Sequence, residues 1–164
     1  MKKYFVLLLV IFLQIGSVFA QDTLDATLKH ASGNLSNRIP LKSRVLVLHF
    51  KANTSDMQDY IIDGLIAGLK KNPGLTVLEK RNTLSIIENN NLPLSEELSD
   101  EKAITIAKDL GVGAVIFGSI VPVDTGEAPY RFNVQALSVQ TARTYWSNTY
   151  DIAQDDALVT LGRK

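Results

Sequence analysis

The chain has 164 residues, enough for one domain, with 17 Lys and Arg against 17 Asp and Glu and 46% hydrophobic residues. That balance excludes the basic footprint of a nucleic-acid binder, and it leaves enough apolar material for a core. There is no cysteine, so no disulfide can help hold the fold.

Residues 1–20 read as an export signal. Lys2 and Lys3 form a basic start, Tyr4 to Leu13 is an apolar run, and Val18-Phe19-Ala20 supplies small residues for cleavage. The run is short for a membrane span and polar Gln14 follows it. The expectation is cleavage after Ala20, a chain starting at Gln21, and a periplasmic or secreted protein without a transmembrane segment. Removing residues 1–20 takes away Lys2 and Lys3 and leaves a net charge of −2. With no cysteine beside the cleavage point, lipid attachment there is not expected.

The segment 21–42 is expected to carry an N-terminal helix. Leu24, Leu28, Ala31, Leu35 and Ile39 form one apolar stripe, and Pro40 stops it. Its expected role is to pack over a sheet. The domain proper is expected over 43–152. Val45-Leu46-Val47-Leu48-His49-Phe50 is a short continuous apolar run, the pattern of a strand buried on both faces.

Ser55 is the expected N-cap of the next helix, with Gln58 completing a capping box. Met57, Ile61, Leu65 and Leu69 face the sheet. Gly64 and Gly68 on the adjoining line imply close approach to a strand or another helix, and Asn72-Pro73-Gly74 ends the helix. Leu75 to Glu79 reads as a second strand. Asn82 is the expected cap of a short helix, Thr83 to Asn90, with Leu84 and Ile87 turned inward and Ile86 beside them.

A loop, Leu92 to Leu98, precedes a helix capped by Ser99 or Asp100. Ala103, Ile104, Ala107 and Leu110 form its inner face, and Gly111 suits a left-handed C-cap. The third strand follows over Gly113 to Val121. After a polar loop to Pro129, Tyr130, Phe132, Val134 and Ala136 alternate with Arg131, Asn133 and Gln135. With Thr144 to Tyr150 this makes an antiparallel hairpin with one wet face. Residues 153–164 form a tail, read as a loose terminal helix. The fold class is therefore α/β (α+β): a single domain, a mixed sheet of about five strands, packed helices and a C-terminal hairpin.

Catalytic chemistry is poorly supplied. His30 lies off its helix stripe, and His49 reads as a hydrogen-bonded sheet residue. Gly111-x-Gly113 with Gly118 precedes a strand instead of joining a strand to a helix, so it is no dinucleotide loop. Glu96, Glu97, Asp100 and Glu101 form an acidic stretch whose spacing matches no calcium loop. No catalytic residue, cofactor or metal is expected. Asn34-Leu35-Ser36 and Asn53-Thr54-Ser55 match the glycosylation sequon by spacing alone. The candidate protein-binding residues are Arg131, Asn133 and Gln135, joined by Tyr145 or Trp146 according to the hairpin register. Arginine, tryptophan and tyrosine are the types enriched at binding hot spots. The acidic stretch is the alternative surface.

The order of these pieces resembles the periplasmic CsgG-like superfamily. The residues carrying the resemblance are Arg44 to Phe50, Tyr60 to Leu65, Leu75 to Asn82, Leu98 to Glu101, Ala107 to Ala114, and Ile116 to Ser119. That group includes the curli-secretion channel subunit, the LpoB-like lipoprotein activators of penicillin-binding proteins, and the TolB N-terminal domain. The chain also resembles small secreted spirochaete-type members of that group.

The resemblance implies a non-enzymatic binding or adaptor protein with an envelope protein partner, in cell-envelope assembly. An oligomer is compatible with it. The alternatives are a subunit of an envelope secretion or assembly complex, and a hydrolase. The chain lacks the relatives' lipid-bearing cysteine, long tether and membrane-crossing hairpin. It also has Thr141-Ala142 where relatives have Thr-Gly at the hairpin turn. A left-handed alanine costs about 1 kcal/mol, which points to a different turn type.

Overall fold

The computed structural model describes residues 23–124 and 128–162. The expected leader and its cleavage after Ala20 lie outside the described residues. The elements run in the order α1 (Leu24–Arg38), β1 (Arg44–Lys51), α2 (Ser55–Leu69), β2 (Thr76–Val77), α3 (Lys80–Asn89) and α4 (Asp100–Asp109). They continue as β3 (Ala114–Pro122), β4 (Tyr130–Ser138), β5 (Thr144–Ile152) and α5 (Asp156–Leu161). The strands form one five-stranded mixed sheet in the order β2-β1-β3-β4-β5. The first three are parallel, and β4 and β5 are added antiparallel.

Alternation of side chains along β1 and β3 divides the core in two. Val45, Val47, Ala114 and Ile116 meet the stripes of α1 and α2, with Leu158 of α5. Leu46, Leu48, Val115 and Phe117 meet α3 and α4. The molecule is thus three layers, with helices on both faces of the central parallel strands. Phe50, Phe132 and Tyr150 stack in sequence on the α1–α2 side. Among the described residues, no helix is long and apolar enough to cross a membrane.

The α1 stripe is buried as its spacing demands, and Thr23 caps the helix. The glycines of α2 receive α1 closely. A Cβ at Gly64 would lie 2.8 Å from Leu28 Cδ1, and one at Gly68 would overlap the Ser32 side chain. Gly111 adopts φ +60°, as a left-handed C-cap requires.

Six local expectations are corrected. Thr54, not Ser55, caps α2, its hydroxyl accepting from Met57 N–H at 3.2 Å. Gln58 makes no capping box, because its amide is drawn to Phe50 O and His49. Helix α3 starts at Lys80, three residues early and without a side-chain cap. Lys80 is held there by Asp63 at 2.6 Å and Asp59 at 3.4 Å, both on α2.

The inward face of α3 is Thr83 and Ile86, while Leu84 is 36% exposed. The phase is set by the Thr83 hydroxyl, which donates to Val47 O at 2.8 Å beside a bulge between Val47 and Phe50. On α4, Ile106 is buried where Leu110 was expected and Leu110 is half-buried. The hairpin turn does place Ala142 in the left-handed region, at φ +57°. Its N–H donates to Ser138 O at 2.9 Å, and Ser138 N–H to Arg143 O at 2.8 Å, so two hydrogen bonds hold the strained alanine.

Candidate functional site

Beyond β3 the helices stop covering one side of the sheet, and the hairpin presents a polar face there. Alternation along β4 turns Arg131, Asn133 and Gln135 to this side, each half-buried. The antiparallel register sets Asp151, Thr149 and Ser147 of β5 opposite them in that order. Arg131 Nε donates to Asp151 Oδ1 at 2.8 Å. Thr149 Oγ1 donates to Asn133 Oδ1 at 2.8 Å, and Asn133 Nδ2 donates to Ser119 Oγ of β3 at 3.1 Å. These bonds fix the amide of Asn133 across three strands.

The same face borders the acidic stretch. Gln135 Nε2 donates to Asp100 Oδ1 at 2.9 Å, at the first turn of α4. A cavity of about 270 Å³ lies between the hairpin and the loop before α4, with Glu97 and Leu98 on one wall and Asn133, Gln135 and Ser147 on the other. Hairpin face and acidic stretch, rival surfaces in the sequence, are neighbours on one surface. What it offers chemically is hydrogen bonding from the amides and hydroxyls of the hairpin, one ion pair at its margin, and the carboxylates of the acidic stretch beside it.

Trp146 is not part of that face. It pairs directly with Ala136, and Tyr150 with Phe132, so both point to the α1–α2 side. Tyr145 sits at an irregularity, since Leu137 pairs with Thr144 where regular pairing would bring Tyr145. Both Tyr145 and Trp146 are half-buried against the core cluster. The residues missing from the sequence reading are Ser119, Ser147, Thr149 and Asp151. The pairing of Arg131 with Asp151 was the available signal, because opposite charges are favoured across strands.

His49 is 1% exposed. Its Nε2 lies 3.0 Å from Glu96 O and its Nδ1 3.1 Å from Gln58 Nε2. Burial lowers its pKa below 6.5, the contact with the Glu96 carbonyl opposes this, and Lys102 adds to the lowering. His30 is exposed on α1. Among the described residues, no group of three His, Cys, Asp or Glu could hold a metal ion.

No protein-family model matches the chain, and no curated protein matches it. Solved structures do. The LpoB C-terminal domain from Salmonella enterica is similar with a TM-score of 0.57 and 20% identity, covering 77% of this chain and 96% of that one. The LpoB C-terminal domain from Escherichia coli gives 0.54 and 20%, over 77% and 98%. The solution structure of E. coli LpoB gives 0.53 and 19%, over 76% of this chain and 66% of that one. The fold is LpoB-like.

Proposed function

We propose that this chain is a non-enzymatic binding or adaptor protein of the cell envelope, with the open face of the β4–β5 hairpin as its contact surface. The observation that supports it is the likeness of most of the chain to LpoB C-terminal domains over nearly their whole length. LpoB is an activator of penicillin-binding proteins, and the proposed partner is an envelope protein of that kind. The CsgG-like and spirochaete-type assignment, export by cleavage after Ala20, and a periplasmic or secreted location belong to the same proposal.

The chemistry of the face suits this role. Arg131, Asn133 and Gln135 are held in place by hydrogen bonds within the protein, so little side-chain freedom is lost on binding. Asn133 and Gln135 each retain amide hydrogen-bonding capacity beyond the bonds they make.

The test is capture of partners from envelope extract, and of a purified penicillin-binding protein, with the chain as bait. Arg131→Ala and Gln135→Ala should each weaken capture about fivefold or more, the effect of losing a hot spot worth over about 1 kcal/mol. Circular dichroism should stay unchanged. Equal capture of the same proteins by both variants would remove the hairpin face as the contact surface.

A further inference from the structure

The two edges of the sheet are unequal. At one end β2 is two residues long, whereas β5 at the other is nine. An edge strand presents a row of backbone N–H and C=O groups ready to pair with another strand. Among the described residues, no backbone group pairs with β5 on its outer side. Of the usual guards, the irregularity at Tyr145 lies outside the central residues 146–150. Thr144–Ile152 contains no proline and no lysine, and its one charge, Asp151, is paired inside the sheet with Arg131.

The centre of β5 has a second property. Trp146-Ser147-Asn148-Thr149-Tyr150 reads aromatic, hydroxyl, amide, hydroxyl, aromatic, the same in both directions. Antiparallel pairing of a strand with its own copy, about a two-fold axis at residue 148, sets each residue against the one at equal distance on the other side. Trp146 then meets Tyr150, Ser147 meets Thr149, and Asn148 meets Asn148. These are favoured cross-strand partners: aromatic with aromatic, hydroxyl with hydroxyl. The faces agree as well. Trp146 and Tyr150 both lie on the α1–α2 side, and Ser147 and Thr149 both on the polar side. Moving the axis to Tyr150 sets Thr149 against Asp151 and Asn148 against Ile152, and the matching is lost.

We infer that β5 pairs with β5 of a second copy of this chain, antiparallel and centred on Asn148, joining the two five-stranded sheets into one. An isologous two-fold contact of this kind closes on itself and does not propagate into fibres. The two polar hairpin faces come to lie side by side on one surface. The inference stands apart from the proposed function, and neither depends on the other.

Three measurements test it. Sedimentation equilibrium of the purified protein should show twice the chain mass, falling to the chain mass on dilution. The chain has no cysteine, so introduced thiols report alone. Directly opposed antiparallel residues have Cα atoms about 4.5–5.5 Å apart, within disulfide range. Asn148→Cys should therefore form a disulfide-linked dimer under mild oxidation. Ser147→Cys alone should not, but mixed with Thr149→Cys it should. Asn148→Lys places two ammonium groups face to face and should return the monomer. All three positions are exposed, so the fold tolerates these changes. A wild-type monomer at every concentration would overturn the inference. So would an unaffected dimer in Asn148→Lys, or Ser147→Cys linking as readily as Asn148→Cys.

Discussion

His49 is held from both ring nitrogens, and its tautomer follows from its neighbours. Gln58 Nε2 donates to Phe50 O at 2.8 Å, so the atom facing His49 Nδ1 is a donor. Nδ1 must accept, and Nε2–H must donate to Glu96 O. A second proton would sit on Nδ1, against that donor, in a buried place. Burial therefore depresses the folded-state pKa below 6.5. The unfolded chain takes up more protons, so the contribution of His49 is complete above about pH 6.5 and is lost as pH falls through the folded value. His49→Gln should be less stable at neutral pH, and its melting temperature should fall less steeply than the wild type's between about pH 7 and pH 5. Parallel melting curves for the two proteins across that range would sink this account.

At the scale of elements, the junction of α1 and α2 depends on two missing side chains. Gly64 and Gly68 let Leu28 and Ser32 reach the α2 backbone. The helix-propensity cost of each glycine, about 1 kcal/mol against alanine, is offset by that approach. Gly68→Ala should destabilise by about 1–3 kcal/mol, because a β-carbon there overlaps Ser32. Ser32→Gly in the same chain should recover part of the loss. A double-mutant cycle in urea measures the coupling. Strict additivity, or a neutral Gly68→Ala, would mean that the helices do not meet there. Near the other face, the bulge in β1 leaves Val47 O for Thr83, and that bond sets the rotation of α3.

At the scale of the whole molecule, the central sheet is covered from both sides. Ile116 belongs to the core beneath α1 and α2, and Phe117 to the core beneath α3 and α4. They are 0% and 1% exposed. An unpaired buried carboxylate is costly in either core. Ile116→Asp and Phe117→Asp should each destabilise by more than about 3 kcal/mol. Thermal melts decide it, and a near-wild-type midpoint for either variant would show that side of β3 open to water. The first and last described helices are tied into the same body. Asp155 accepts from Leu24 N–H and from Leu158 N–H, so one carboxylate joins the start of α1 to the start of α5. Thr54 donates to Leu161 O at 2.6 Å.

Burial on both faces was legible in β1 and β3 because each is apolar without interruption, and no choice of register changes what such a strand buries. The α1 stripe, the glycine line of α2 and the turn at Gly111 were legible for a similar reason: each is a local pattern with one physical solution. The start of α3 was not, since distant aspartates on α2 hold Lys80 in the helix. Nor was the bulge that brings His49 between Gln58 and Glu96. The candidate site was legible by half. Alternation in β4 sorted Arg131, Asn133 and Gln135 to one face. In β5, Ser147-Asn148-Thr149 is polar on both faces, so the sequence carries no phase, and an irregularity at Tyr145 shifts it further. Tertiary pairing alone sent Trp146 to the core side and brought the acidic stretch beside the hairpin. Apolar pattern determines which surfaces must leave water, and where both faces are polar only long-range hydrogen bonds choose between them.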